Sequence, residues 1–150
     1  MKDELVKDWM TRNVITIEPD TTLPETDRLM VDKRIRRLPV VKNGKLVGIV
    51  TRNNLREAAP AADISLNIHE LLFLIARLTI ARVMTVDPIT ISSEATIGEA
   101  VELMHKNKVS GLPVLNLAGE LVGIITESDI FRMIAEAWSK LSSNRNSDAQ

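Results

Sequence analysis

The sequence predicts an α+β fold made of two β-α-β-β-α repeats. Met10-Thr11 recurs as Met84-Thr85, a shift of 74 residues (84 − 10). Leu38-Pro39-Val40 recurs at the same shift as Leu112-Pro113-Val114, and a glycine-led aliphatic run follows each time. A unit that occurs twice in one chain usually buries its apolar face against its copy. We therefore expect two half-domains that share one core.

The first part of repeat 1 predicts a helical turn, a strand and a helix. Apolar residues of the opening segment share one helical face, at Leu5, Val6, Trp9 and Met10. The β-branched run Ile15-Thr16-Ile17 then predicts a short strand. Thr22 and Glu25 have the spacing of a capping box, so a helix is expected to begin there and to continue through Leu29 and Met30.

The second part of repeat 1 predicts a β-hairpin and a second helix. Leu38-Pro39-Val40-Val41 and the run from Leu46 to Val50 are strand-like, and Lys42-Asn43-Gly44-Lys45 between them is a turn sequence. Thr51 with Asn54 three residues later has the spacing of a helix start. We expect this helix to begin near Asn53.

Repeat 2 carries the same signals. Thr96 and Glu99 have capping-box spacing, and Thr126 to Asp129 opens the last helix. The turn Asn116 to Gly119 is one residue longer than its counterpart, which raises the shift to 75 (119 − 44). Three apolar residues of the last helix share a face that is expected to contact the core or a partner: Ile130, Ile134 and Trp138.

We divide the chain into repeat 1 (residues 5–57), a linker with an amphipathic helix (58–79), repeat 2 (80–138) and a polar tail (139–150). Small residues dominate 58–63, and the stretch from Ile68 to Ile75 has helical apolar spacing. The apolar surface of this linker helix is broad, which predicts packing against repeat 2 and against a second chain. The tail is expected to be disordered from Ser142 onward.

Composition limits the function classes. The chain has 150 residues, 45% of them hydrophobic, which is enough for a sizeable core. A net charge of −1 gives no global attraction to nucleic acid or to anionic membranes, and the absence of cysteine excludes disulfides and thiolate zinc sites. The opening Met1-Lys2-Asp3-Glu4 does not begin an apolar signal segment, so we expect a cytoplasmic protein.

The repeated sequence motifs resemble those of a tandem pair of cystathionine-β-synthase (CBS) domains. The matching motifs are Met-Thr followed by Ile-Thr-Ile, Leu-Pro-Val, and Gly-x-x-Thr-x-x-Asp at Gly123 to Asp129. Three segments are similar in sequence to the bacterial AcuB-like subgroup linked with acetoin utilisation: Val6 to Thr11, Ile35 to Val40 and Ile68 to Leu71. The resemblance implies a pseudo-two-fold Bateman module that binds adenosyl compounds, such as AMP, ADP or ATP, between its two sheets.

The resemblance also assigns the residues of a first cleft. Asp129 is expected to hold the ribose hydroxyls and Thr126 to meet phosphate, since a carboxylate accepts two hydrogen bonds from a diol and helix N-terminal amides suit an anion. By the family pattern the other repeat completes this cleft with Thr11, Thr16, Ile35, Arg36, Arg37 and Pro39. An arginine there is suited to bidentate phosphate binding.

A second cleft is expected to be weaker. It would combine Thr51, Asn54, Thr85, Thr90, Val109, Ser110 and Gly111. Asn54 replaces the acid that would bind ribose, and Ser110-Gly111 replaces the arginine pair. An amide is a poorer acceptor for a diol than a carboxylate. Asp129 and the two threonines also have a plain structural interpretation, as residues that stabilise helix starts.

Other chemistries find little support in the residues. Residues 33–37 contain four basic side chains, but aromatic residues total 3%, so single-strand nucleic-acid binding is not expected. His69 and His105 lack ligand-spaced partners, and no nucleophile-base arrangement is recognisable. We therefore expect no metal, no membrane, no catalysis and no catalytic cofactor. Two functions stay open: a regulatory homodimer that signals to an unknown partner protein, and a constitutive dimerisation scaffold without a ligand.

Overall fold

The computed structural model describes residues 3–58 and 67–147. Its helices are α1 (Val6–Trp9), α2 (Leu23–Lys33), α3 (Arg52–Ala58), α4 (Ile68–Arg77), α5 (Ile97–Asn107) and α6 (Glu127–Ser147), with a 3-10 helix at Ile80–Arg82. Its strands are β1 (Arg37–Lys42), β2 (Lys45–Thr51), β3 (Thr85–Val86), β4 (Ile91–Ser92), β5 (Gly111–Leu115) and β6 (Leu121–Thr126). This mixture of helices with two small sheets confirms the predicted α+β class.

The chain forms two compact units whose limits differ from those of the sequence repeats. Unit 1 joins the segment up to Val14 with the segment from Ile89 onward, and unit 2 runs from Ile15 to Pro88. In unit 1 the Val6 amide donates to the Ala95 carbonyl at 2.8 Å. The equivalent bond in unit 2 runs from the Ile80 amide to the Thr21 carbonyl at 2.9 Å. The segment that precedes each Met-Thr motif therefore belongs to the unit formed by the other repeat.

Each unit has a three-stranded sheet. In unit 2 the antiparallel strands follow the order β1-β2-β3, and in unit 1 β4 is parallel to β5, which is antiparallel to β6. The strand predicted at Ile15-Thr16-Ile17 is reduced to one bridge between Ile17 and Val40. Pro19 follows two residues later and cannot donate a ladder hydrogen bond, which limits this strand. The hairpin turn is as predicted, because Asn43 and Gly44 both have positive φ (50° and 76°).

The buried apolar residues form two clusters, so the expectation of one shared core is wrong. Unit 1 contains Val6, Met10, Ile91, Ile97, Ala100, Met104, Leu112, Val114, Ile125 and Met133. Unit 2 contains Ile17, Leu23, Met30, Leu38, Val40, Val50, Leu55 and Ile80. Helices cover the sheet of each unit. The segment that precedes the Met-Thr motif of the other repeat, which we call the exchanged segment, adds a buried side chain to each cluster: Val6 in unit 1 and Ile80 in unit 2.

Capping boxes begin the helices where the sequence predicts them. The Thr22 amide and hydroxyl both donate to a Glu25 carboxylate oxygen at 3.0 Å, and these hydrogen bonds lower the pKa of Glu25. Thr96 and Glu99 repeat the arrangement at the start of α5. Helix α4 has an unpredicted capping box of Asn67 and Glu70, in which asparagine supplies the side-chain acceptor.

The structure describes the linker helix and most of the predicted tail. The linker helix α4 belongs to unit 2, where Ile75 packs on a core that includes Ile80, a residue from the start of repeat 2. The small-residue stretch 59–63 lies outside the described residues. The tail is not disordered from Ser142, because α6 continues to Ser147. Serine hydroxyls on α6 donate to carbonyls four residues earlier, so these polar residues are compatible with the helix.

Candidate functional site

The best-defined polar site of unit 1 is the corner where β6 ends and α6 begins. One carboxylate oxygen of Asp129, Oδ2, accepts hydrogen bonds from the Thr126 amide at 2.9 Å and from the Thr126 hydroxyl at 3.0 Å. Asp129 is buried, with 8% of its surface exposed. A buried carboxylate needs such donors to offset the loss of water. Oδ2 is therefore committed to the helix start, and Oδ1 is the oxygen that remains for other partners.

Arg132 contacts this second oxygen. Its Nη2 lies 3.3 Å from Asp129 Oδ1 and also donates to the Trp9 carbonyl at 3.0 Å. The guanidinium carbon lies 5.2 Å from the centroid of the Trp9 ring, within cation-π range. Nη1 lies 3.8 Å from Glu136 Oε1. Arg132 thus joins the acid on α6 to the exchanged segment α1.

Trp9 is itself held in place. Its indole N–H donates to Glu4 Oε2 at 2.9 Å, and the ring packs on the unit 1 core. Helical spacing predicts the apolar role of Trp9, but neither Trp9 nor Arg132 is among the predicted site residues. A signal for Arg132 exists, since an acid and a base three residues apart on a helix are neighbours. No sequence signal links Arg132 to Trp9, because they are far apart along the chain.

Thr11 lies close to the same corner. Thr11 and Ile124 exchange two backbone hydrogen bonds, at 2.9 and 3.0 Å, which places Thr11 beside the strand that ends at Thr126. Gly123 makes this approach possible, because a Cβ atom there would lie 2.9 Å from the Thr11 carbonyl oxygen and would collide with Met10. Thr11, Thr126 and Asp129 of the predicted first cleft therefore belong to one unit.

Residues assigned to the weaker cleft also lie at this corner. Gly111 pairs with Thr126, and the Glu127 amide donates to the Ser110 carbonyl at 3.1 Å. Val109 precedes them and packs on the unit 1 core, and Thr90 directly precedes β4. The Ser110-Gly111 segment is thus a neighbour of Thr126 within unit 1.

Unit 2 has a matching corner built on an amide. Asn54 Oδ1 accepts from the Thr51 amide at 2.8 Å and from its hydroxyl at 3.0 Å. Arg37 pairs with Thr51 across β1 and β2, and the Arg52 amide donates to the Arg36 carbonyl at 2.9 Å. The backbone of the predicted phosphate-binding arginines therefore lies beside Thr51.

The remaining predicted site residues belong to unit 2 as well. Ile35 packs on its core, and the Pro39 carbonyl accepts from the amide of Ile17, next to Thr16. Thr85 pairs with Ile49 across β2 and β3. The first predicted cleft thus draws on residues of both units. A joint cleft between them stays a prediction.

The two corners differ one turn into the helix. Allowing for the longer turn in repeat 2, Glu57 occupies the position of Arg132, and Val83 occupies that of Trp9. In unit 2 a cavity of about 350 Å³ lies at this place, lined by Asn54, Glu57, Ala58, Leu78, Arg82 and Val83. At the equivalent place in unit 1, Arg132 stacks on the Trp9 ring. Unit 1 therefore combines an acid, Asp129, with Arg132, whereas unit 2 has Asn54 and Glu57 at the matching positions.

Unit 1 has a cavity of about 560 Å³ between α5 and α6. Its lining is mainly apolar with a few polar groups: Val101, Met104, His105, Lys108, Val109, Ser110, Glu127, Ile130 and Phe131. Phe131 is 68% exposed at its rim. Exposed apolar side chains at such a groove are typical of association surfaces.

The described residues contain no group of three or more potential ligands arranged to hold a metal ion. Over the same residues, no helix combines the length and apolarity that a bilayer crossing requires.

Both repeats match one known domain family. The family model for the CBS domain matches residues 6–61 and 80–136. The chain belongs to the CBS domain family. It is a tandem CBS pair, and both matches contain the Thr-x-x-Asn or Thr-x-x-Asp corners described above.

Two curated relatives match most of this chain. A CBS domain-containing protein of Dictyostelium discoideum is 36% identical over 131 residues, which cover 87% of this chain and 90% of the relative. The inosine-5'-monophosphate dehydrogenase of Korarchaeum cryptofilum is 37% identical over 123 residues, 82% of this chain. The chain spans only 23% of the length of that enzyme.

Solved structures of other CBS pairs have the same fold. AcuB of Vibrio cholerae, described as a putative acetoin utilization protein, is 33% identical with a TM-score of 0.74, over 93% of this chain and 96% of AcuB. The CBS pair of protein MJ0100, in complex with 5'-methylthioadenosine and S-adenosyl-L-methionine, is 28% identical (TM-score 0.73; 89% and 97% covered). CBSX2 in complex with AMP is 27% identical (TM-score 0.71; 89% and 98% covered). The AcuB-like tandem CBS assignment is confirmed.

Proposed function

We propose that this CBS pair is a regulatory module that binds an adenosyl ligand through Asp129 and passes a conformational signal to a separate protein. The observation that carries the proposal is the Thr126-Asp129 corner, where a buried carboxylate keeps one oxygen directed away from its helix cap. The structural relatives that hold AMP, 5'-methylthioadenosine or S-adenosyl-L-methionine support the adenosyl class. A ligand acts through its differential affinity for two states of a protein, so signalling requires no catalytic group.

The proposed first cleft joins Asp129, Thr126 and Thr11 with Thr16, Ile35, Pro39 and the arginines Arg36 and Arg37. In this proposal the carboxylate accepts from the ribose diol and an arginine meets the phosphate. The Asn54 cleft is the weaker site, since its amide oxygen already accepts two hydrogen bonds from Thr51. The proposed location is the cytoplasm.

Isothermal titration calorimetry tests the sensing function. A panel of AMP, ADP, ATP, S-adenosylmethionine, NAD and a cyclic dinucleotide should reveal selective binding at micromolar or lower Kd. The absence of binding by every compound would contradict the sensor. The dimerisation scaffold would then be the better account.

The scaffold is the second candidate function, because several apolar side chains of α4 and α6 are exposed. Ile68, Leu72 and Phe73 on α4 and Phe131, Trp138 and Leu141 on α6 are each more than half exposed. A second chain of this protein is the proposed occupant of these helix faces, and closed two-fold symmetry is the commonest arrangement for such pairs. A homodimer is proposed with either function, and the two functions differ in whether the protein binds a ligand.

A further inference from the structure

We infer that Arg132 competes with the ligand for Asp129, so that its ion pair sets the affinity of the site and its departure is felt at Trp9. The inference rests on the proposed function, because it assumes that the ribose uses Asp129. It goes beyond that function by assigning a role to a residue outside the recognised motif.

Asp129 has few acceptor sites to offer a ligand. Oδ2 accepts two hydrogen bonds from Thr126 and holds the start of α6. Oδ1 faces Arg132 Nη2 at 3.3 Å. A vicinal diol needs a carboxylate oxygen with accessible lone pairs, and Arg132 already uses part of the acceptor capacity of Oδ1.

Arg132 is far more accessible than the acid it contacts. The Asp129 side chain is 11% exposed, whereas that of Arg132 is 52% exposed. Arg132 therefore lies between the carboxylate and solvent, and it can move outward without crossing the core. Its other contacts are to the Trp9 carbonyl through the same Nη2, to Glu136 through Nη1, and to the Trp9 ring through the guanidinium face. These contacts give Arg132 partners when it leaves Asp129.

The corner of unit 2 provides a comparison within the same chain. Unit 2 repeats the Thr51-Asn54 corner but has Glu57 at the position of Arg132, with a cavity in place of the stack on Trp9. A neutral amide does not require a cation, and a carboxylate at position 57 could not supply one. Arg82 also lines that cavity, but an arginine one turn into the helix occurs in unit 1, beside the acid, which is the pattern expected if its role concerns Asp129 Oδ1.

Adenosine is the sharpest probe, because it carries the diol but no charge. Arg132→Met removes the competitor and keeps much of the side-chain volume, so adenosine should bind about two- to five-fold more tightly, the change expected for losing a partly exposed ion pair. AMP should gain by a similar factor, which leaves the preference for AMP over adenosine unchanged. Arg132→Lys should restore most of the wild-type affinity.

Salt provides a readout that a merely structural role would not move. Ions screen a half-exposed pair, so raising the salt concentration should tighten adenosine binding to the wild type. The salt dependence should disappear in Arg132→Met. Arg145→Met, which removes the same charge from the exposed end of α6, is the matched control and should behave as the wild type. Thermal unfolding checks that each variant is folded.

Trp9 fluorescence follows the arginine directly. The chain has two tryptophans, so Trp138→Phe leaves Trp9 as the single emitter. Adenosine should change the Trp9 emission of the Trp138→Phe variant. It should have little effect on the emission of the double variant Trp138→Phe, Arg132→Met. If Arg132→Met binds adenosine equally or less well while the wild type binds it, the inference is wrong and the proposed function stands. If neither protein binds adenosine or any compound of the calorimetry panel, both are wrong; if another adenosyl compound of the panel binds with equal affinity to the wild type and to Arg132→Met, only the inference is wrong.

Discussion

Asp129 illustrates how one residue serves the fold and a proposed site with different atoms. Its Oδ2 caps α6 through Thr126, and its Oδ1 faces Arg132. Asn54 makes the same capping contacts in unit 2 with its amide oxygen. Capping alone is therefore satisfied by either residue. The charge on Asp129 is what distinguishes the two corners, which is why its substitution tests binding better than it tests folding.

Asp129→Ala should weaken adenosyl binding by about 1.5–3 kcal/mol, the usual range for hydrogen bonds to a charged group. Titration calorimetry with AMP measures the change. Asp129→Asn is the matched control for folding, because Asn54 shows that an amide supports the same corner. Unchanged AMP affinity in the alanine variant would remove the ribose assignment.

Arg36 and Arg37 are predicted to supply the preference for phosphate. Replacing both with alanine should abolish any preference for AMP or ATP over adenosine while leaving adenosine affinity unchanged, since the diol does not use them. The outcome differs from that of Arg132→Met, which changes both ligands together. Competition between adenosine and AMP in one titration gives the ratio. If the ratio persists, these arginines have no phosphate role.

At the scale of elements, capping boxes decide where helices begin. The Thr22-Glu25 box lowers the pKa of the Glu25 carboxyl, so its stabilisation is present above the ordinary value of 4.5 and is lost as the pH falls through the lower folded value. Glu25→Gln should therefore lower the melting temperature at pH 7 by more than it does at strongly acidic pH. Asp27→Asn, on the same helix outside the cap, is the control. A difference that grows toward acid would contradict the sign.

The backbone pairing of Thr11 with Ile124 on β6 depends on Gly123. A Cβ atom there would lie 2.9 Å from the Thr11 carbonyl, so Gly123→Ala should destabilise the protein by about 1–3 kcal/mol, as overpacking usually does. Urea unfolding measures the change in the free energy of unfolding. Gly98→Ala on α5 is the control, since its Cβ would have 3.7 Å to the nearest atom and should be neutral or stabilising. Equal stability in the two variants would contradict this packing.

At the scale of the molecule, the exposed apolar faces of α4 and α6 predict a homodimer. Light scattering at micromolar concentration should give about twice the chain mass of 16.7 kDa. Ile134 lies on the apolar stripe that the sequence predicts for α6, but it packs on the unit 1 core. A charge in Ile134→Glu would therefore destabilise the fold as well as an interface.

Trp138 is 67% exposed, and Trp138→Glu is the cleaner variant, expected to shift the protein toward monomer. Ser139→Glu, at the next position of α6, controls for the added charge. A monodisperse wild-type monomer would rule out the dimer.

Much of the fold was determined by short-range signals in the sequence. The capping boxes, the Asn43-Gly44 turn and the Thr126-Asp129 corner all depend on hydrogen bonds and dihedral preferences within a few residues. The repeat itself set the order of the elements. One departure from it, Asn54 at the position of Asp129, distinguishes the two corners in the sequence alone.

Tertiary structure decided which segments belong together. Helix α1 lies at the start of repeat 1 in the chain but joins unit 1, because the backbone hydrogen bonds of Val6 to Ala95 and of Thr11 to Ile124 are made across long sequence separations. The same placement brings Trp9 beneath Arg132, a contact that no local pattern encodes. Long-range pairing depends on which surfaces are left after each unit has packed, so sequence periodicity identified the residues and the folded units determined their neighbours.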